Sequence, residues 1–257
     1  MAVYLYGMNY TASIKDFFAS PKWGMNLLFG AVCSLIPVIG PMVLLGWLLG
    51  GFWGREGYRA ATFPAFDFGR FTDYLMRGLW PFLVAMVASV VFVPLMWVAC
   101  FVPMLGANVL VGHNGHHGSG AEGLLVLALL LGTFVVVAVL GLILMLVVKP
   151  LMLRAELLQD FGKAFDFRWG LDFIKRTWLE CILATMFIWI ASIVLSIVGM
   201  AAFCVGVYFI SGPVYFAMAH LDRQIYLIYL ERGGAALEAS QKLLDGPPPL
   251  NPVPPSL

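Results

Sequence analysis

The sequence predicts an all-α integral membrane protein: a helical bundle with two parallel sequence repeats, each carrying an interfacial amphipathic helix between membrane helices. Three observations predict it. Hydrophobic residues make up 61% of the chain and charged residues 11%, against about 45–50% and about 25% in soluble domains, so the surplus apolar surface needs lipid as its solvent. Four segments avoid Asp, Glu, Lys and Arg completely: Trp23–Gly54, Gly78–Gly112, Gly123–Val148 and Cys181–Ala219. Each is long enough for the ~20 apolar residues that a crossing takes. Finally, Ala65-Phe66-Asp67-Phe68 with Asp73, Arg77 and then Trp80 recurs at one constant offset as Ala164-Phe165-Asp166-Phe167 with Asp172 and Arg176. The closing tryptophan, Trp178, is one position out, and Arg55 and Arg154 extend the match upstream.

Residues 1–22 read as an N-terminal interfacial segment. No basic start precedes an apolar run there, so no cleavable signal peptide is expected. Residues 23–112 form the first repeat unit. Its opening run, Trp23–Gly54, is too long for one straight crossing and short for two. Pro37 and Pro41 remove backbone donors near its centre and break the helix. One kinked helix or a hairpin of two short helices would satisfy the length, and charge favours the hairpin. Lys15, Lys22, Arg55, Arg59, Arg70, Arg77, Lys149, Arg154, Lys163, Arg168, Lys175, Arg176, Arg223, Arg232 and Lys242 then fall on one side, which the positive-inside rule makes cytoplasmic. Both termini are expected on that side, in the cell's inner membrane.

Gly78–Gly112 crosses outward with Pro94 and Pro103 as kink points. Residues 113–122 make an external His/Gly loop. Residues 123–200 form the second repeat unit, 201–232 the last membrane helix, and 233–257 a short helix followed by the Pro-rich tail DGPPPLNPVPPSL. That tail favours extended polyproline conformation. In both units an inward helix precedes the motif and an outward helix follows it, so the repeats are parallel.

The motif residues Asp67, Asp73, Arg77, Asp166, Asp172 and Arg176 are the candidate site. Asp67 and Asp166 precede helices and suit N-caps. Asp73–Arg77 and Asp172–Arg176 have the acid-first, four-residue spacing of a helical ion pair. Flanking phenylalanines supply an apolar side, which gives a short amphipathic helix at the interface. The role is that of an anchor, or of a surface for lipid phosphates or a protein partner.

Together, Pro21-Lys22-Trp23, Gly46-Trp47-Leu48-Leu49, Phe63-Pro64-Ala65-Phe66-Asp67 with Asp73 before Gly78, and the late Ala164-Phe165-Asp166-Phe167 resemble a prokaryotic family of multi-pass membrane proteins, domain of unknown function 4013. Phe63 stands where that pattern usually has Leu, and Ala65 where it usually has an acid. The resemblance spans roughly residues 10–230. It implies a membrane location and hands over no activity and no catalytic residue.

Other chemistry is thin. His113, His116 and His117 could approach a zinc or copper ion, but their loop is rich in glycine, and neither metal nor cofactor is expected. His220, at the end of an apolar run beside Asp222 and Arg223, suits an interfacial position. Cys33, Cys100, Cys181 and Cys204 lie in apolar runs and read as small hydrophobes. Phosphate loops, nucleophile elbows and zinc-protease signatures are missing, so no enzyme is expected. A net charge of +1 gives no reason to expect nucleic acid. The expected role is a non-catalytic scaffold or a subunit of a larger membrane complex, in contact with lipid and with a protein partner or a second copy. The alternative is a facilitator or lipid-handling transporter using the break at Pro37 and Pro41.

Overall fold

The computed structural model describes residues 7–54, 57–113, 120–201 and 206–244. Every regular element among them is helical. Asn9 opens α1 (Tyr10–Ala19), its side chain accepting from the Ala12 amide. The first uncharged run divides into α2 (Trp23–Leu35) and α3 (Ile39–Trp53). Pro37 sits in the break, where Val38 takes a φ of 69°. Pro41 is the third residue of α3, inside the first turn, where a missing N–H costs nothing; it starts a helix and does not break one. With 13 and 15 residues, these helices are about 20 and 22 Å long. Each is shorter than the ~30 Å hydrocarbon core.

Three helices are long and apolar enough to cross a membrane: α4 (Phe71–His113), α5 (Gly120–Leu158) and α7 (Phe167–Ala201). Between α5 and α7 lies the single turn α6 (Phe161–Ala164). α8 (Gly206–Glu231) returns alongside α7. The amphipathic stretches expected as separate interfacial helices are the first turns of α4 and α7. Asp73–Arg77 runs into the apolar part of α4 without interruption, and Asp172–Arg176 does the same in α7. α4 is one helix through Pro81, Pro94 and Pro103. The His/Gly loop is shorter than expected, because His113 ends α4 and Gly120 starts α5. His116 and His117 lie outside the described residues.

Small residues set the helix crossings. Gly30 on α2 faces Gly212 on α8, with the Ser34 and Ser211 hydroxyls hydrogen-bonded beside them. Gly46 on α3 lies against the Tyr74 carbonyl of α4, and Gly78 against the Met42 carbonyl. Backbones this close leave no room for a β-carbon at Gly30, Gly46 or Gly78.

The cores gather around the ends of the helices that carry charge. One joins Phe17, Trp47, Phe52, Phe63, Phe66 and Phe216; another joins Leu153, Leu157, Phe173, Ile225, Tyr229 and Leu243. Away from them the long helices are bare. Only 6% of the most apolar stretch is buried in α4, 6% in α5 and 17% in α7.

The C-terminal segment differs from the expected helix. Gly233, at φ 77°, ends α8, and the chain runs without helix to α9 (Gln241–Leu244). Its amides are satisfied from elsewhere: Ala235 by the Tyr229 hydroxyl at 3.0 Å, Leu237 by the Tyr226 hydroxyl at 2.8 Å, and Ser240 by the Leu157 carbonyl at 2.8 Å. Leu243 then plugs the core at 0% exposure. The Pro-rich tail lies outside the described residues.

Candidate functional site

The first motif stretch is held by side chains from three helices or their ends. Ser20, after α1, donates to the Phe63 carbonyl at 3.4 Å; Trp47 of α3 donates through Nε1 to the Pro64 carbonyl at 3.0 Å; and Asn26 of α2 accepts from the Phe66 amide at 2.9 Å. Asn26 is 1% exposed, so these bonds have little competition from water. Asp67 then accepts from the Gly69 amide at 2.9 Å and opens a 3-10 turn (Phe68–Arg70) that leads into α4. Asp73 sits exposed in the first turn of α4, where the helix dipole favours an acid. Arg77 reaches across to Gly50 on α3.

The second stretch has a different support. Arg154 of α5 donates through Nε to the Lys163 carbonyl at 2.9 Å, approaches Asp166 Oδ2 at 3.3 Å, and lies over the Trp169 ring at 5.3 Å from its centre. Asp166 accepts from the Trp169 amide at 3.1 Å at the start of α7. Asp172 pairs with Arg176 at 3.0 Å and accepts from the Tyr229 hydroxyl at 3.0 Å. Arg176 also donates to the Arg232 carbonyl, and Arg232 in turn reaches the Arg176 carbonyl and Glu180. Asp160 caps α6 through the Lys163 amide at 3.1 Å. The acids at 160, 166 and 172 therefore hold three separate places.

Two polar groupings were not read from the sequence. Lys149 of α5 is ion-paired with Asp222 of α8, and Glu156, seven residues after Lys149, is buried on α5. These charges stand just past the uncharged runs that end at Val148 and Ala219, where both helices continue. A seven-residue spacing puts Lys149 and Glu156 on one face, and that was the available signal.

The other grouping lies in the groove between α1 and α8. A cavity of about 60 Å³ is lined by Asn9, Asp16, Tyr58, His220, Arg223 and Glu231, among others. Gln224 accepts from the Asn9 amide at 2.7 Å and donates to the Asn9 carbonyl at 3.2 Å. The same amide group meets His220 Nδ1 at 2.8 Å. His220 Nε2 faces Asp16 Oδ2 at 3.4 Å, and Tyr58 donates to that oxygen at 2.7 Å. His220 follows the uncharged run that ends at Ala219 and is 7% exposed. Burial pushes its imidazole down to about 4 from 6.5; Asp16 opposes the shift and Arg223 adds to it. Among the described residues no group of three His, Cys, Asp or Glu side chains is placed to hold a metal ion.

The chain belongs to the family described as protein of unknown function DUF4013, whose model matches residues 29–204. Neither a curated protein nor a solved structure matches it.

Proposed function

We propose that this DUF4013 chain is an integral component of the inner membrane without chemistry of its own, acting as a scaffold or a subunit of a larger membrane complex. The observation that carries the reading is the bare apolar surface of α4, α5 and α7. Exposed apolar area on that scale needs lipid or another protein to cover it. In this reading the chain returns along the uncharged residues 201–219, of which α8 holds the greater part, and the basic side faces the cytoplasm with both termini. α2 and α3 enter as a short hairpin that does not reach the far side. Asp67, Asp166, Asp172 and Arg154 support the structural role, since each is engaged in holding backbone or an ion pair.

The facilitator alternative draws less support. Carbonyls at the break already accept protein amides: Cys33 from Ile36, Ile36 from Gly40 and Pro37 from Ile39. They are engaged in holding the break together.

Two measurements test the proposal. Alkaline carbonate should leave the chain in the membrane pellet; release into the supernatant would overturn the membrane reading. Mild-detergent purification followed by native mass spectrometry should give a complex with a stoichiometric protein partner or a second copy. A lone monomer carrying a bound solute would replace the scaffold reading with the facilitator.

A further inference from the structure

We infer that Asn9, Gln224 and His220 form a proton-sensitive latch that holds α1 on α8. The inference does not depend on the scaffold reading. It rests on hydrogen-bond accounting in one ring of contacts, from Asn9 at the head of α1, through Gln224 and His220 on α8, to Asp16 further along α1.

Backbone alone orients Gln224. The Asn9 N–H can only donate and its carbonyl can only accept. The side-chain oxygen of Gln224 must therefore face the N–H, and its NH2 group the carbonyl. That NH2 also meets His220 Nδ1, so Nδ1 must present a lone pair. The ring proton is then on Nε2, pointing to Asp16, which Tyr58 holds in place. Docking of α1 thus selects both the neutral ring and its tautomer.

A second proton on the ring would set N–H against N–H at Nδ1. Turning the Gln224 amide over removes that conflict but places NH2 against the Asn9 N–H, and both bonds to Asn9 are lost. Each element packed on His220 contributes. Asp16 of α1 favours the charged ring, while Arg223 of α8 opposes it. Tyr58, from the linker after α3, offers a hydroxyl already given to Asp16, and Phe52 of α3 and Phe216 of α8 supply apolar ring contacts. The balance in the docked state opposes protonation. With α1 undocked, Nδ1 and Nε2 meet water and the ring rises toward its ordinary value, although Phe52, Tyr58 and Phe216 stay packed on it. The neutral, docked form is therefore fully favoured above about pH 6.5, and docking weakens as pH falls from there toward 4. For one proton the change is about tenfold per pH unit across that window.

Hydrogen exchange by mass spectrometry on the full chain in mild detergent tests this, with rates corrected for the intrinsic effect of pH. Protection of residues 9–19 should be constant above pH 6.5 and fall about tenfold per unit below it, while residues 153–157 in the core stay unchanged. His220→Gln should flatten the profile. Gln224→Glu should also suppress the acid loss, because its carboxylate accepts from Nδ1–H and still accepts from the Asn9 amide; this variant decides the matter if His220→Gln fails to fold. Equal protection of α1 at pH 7.5 and pH 5 in the unmodified chain, or a slope that survives in the folded variants, would overturn the latch.

Discussion

Gly30 and Gly212 face each other where α2 crosses α8, yet their replacement by alanine should have unequal effects. A β-carbon at Gly30 would lie 2.9 Å from the Gly212 α-carbon and 3.3 Å from its nitrogen. Ordinary contact starts near 3.4 Å, and both obstacles are backbone, which cannot rotate aside. The helices must part by about 0.5 Å, and overpacking of this kind costs ~1–3 kcal/mol. Alanine recovers about 0.5–1 kcal/mol of that through helix propensity. The net loss for Gly30→Ala is about 1–2 kcal/mol, or roughly 2–8 °C in melting temperature for a chain of this size. A β-carbon at Gly212 would point elsewhere, 3.5 Å from the Gly30 α-carbon and 3.8 Å from the Asn26 carbonyl. Both are ordinary contacts. Pro213 follows directly and disfavours helical geometry for a residue with a β-carbon before it, which cancels the propensity gain. Gly212→Ala should melt within about 0.5 kcal/mol of the unmodified chain. The assay is thermal unfolding in one detergent, followed with a thiol-reactive dye. Cys33 and Cys181 are buried free thiols that become reactive on unfolding, and the signal before the transition sets the baseline. If Gly30→Ala melts at or above the unmodified chain, or the two variants fall equally, the reading of this crossing is wrong.

Three more outcomes follow from the same geometry. Asp67→Ala combined with Asp166→Ala removes the acceptors at the starts of two helical stretches, at about 1 kcal/mol each; membrane yield and melting temperature should both drop, and a normal result in both would contradict the structural role. Arg154→Lys keeps the charge but cannot reproduce the contacts of Nε, the terminal nitrogen and the guanidinium plane, so it should lose ~1–3 kcal/mol in the same melting assay. Leu243→Ala opens a hole where the C-terminal segment enters the core and should cost ~2–5 kcal/mol, with limited proteolysis cutting first between residues 233 and 244; resistance equal to the unmodified chain would show that α9 does not seal the core.

Charge-free length made the long helices legible. Pro37 was readable as a break because proline removes an amide wherever it stands. Pro41 was misjudged, since the harm done by a proline depends on whether it lies in a first turn, and only the position of the break decides that. The ends of the motif helices were hidden by a different cause. Asp73–Arg77 and Asp172–Arg176 look amphipathic, but helices do not stop where polarity changes unless a cap or a breaker stops them. Nothing in the sequence ends a helix between Arg77 and the apolar run. The C-terminal segment was read as helix because its own residues permit one; the competing acceptors, the Tyr229 and Tyr226 hydroxyls and the Leu157 carbonyl, are presented only by the packing of α8 and α5. The latch was invisible for the same reason. Asn9 and Gln224 are unremarkable residues until two ends of the chain meet.

The two motif stretches spell the same four residues, Ala-Phe-Asp-Phe, but their supports come from elements that share no sequence likeness. In both, an aspartate accepts a backbone amide at the start of a helical stretch, and that is a local property carried by the letters themselves. What precedes the aspartate is fixed by neutral groups in the first stretch, Ser20, Asn26 and Trp47, and by the Arg154 guanidinium in the second. Asn26→Ala strands the buried Phe66 amide, at ~1–3 kcal/mol, and should raise hydrogen exchange around residues 63–68 while leaving 163–170 as they were. Arg154→Lys should do the reverse. Energies at separate, unshared supports add, so the double variant should lose the sum of the two single losses. Exchange rising in both stretches after either change alone would mean that they share a support, and that the likeness of their letters reflects one mechanical unit and not two.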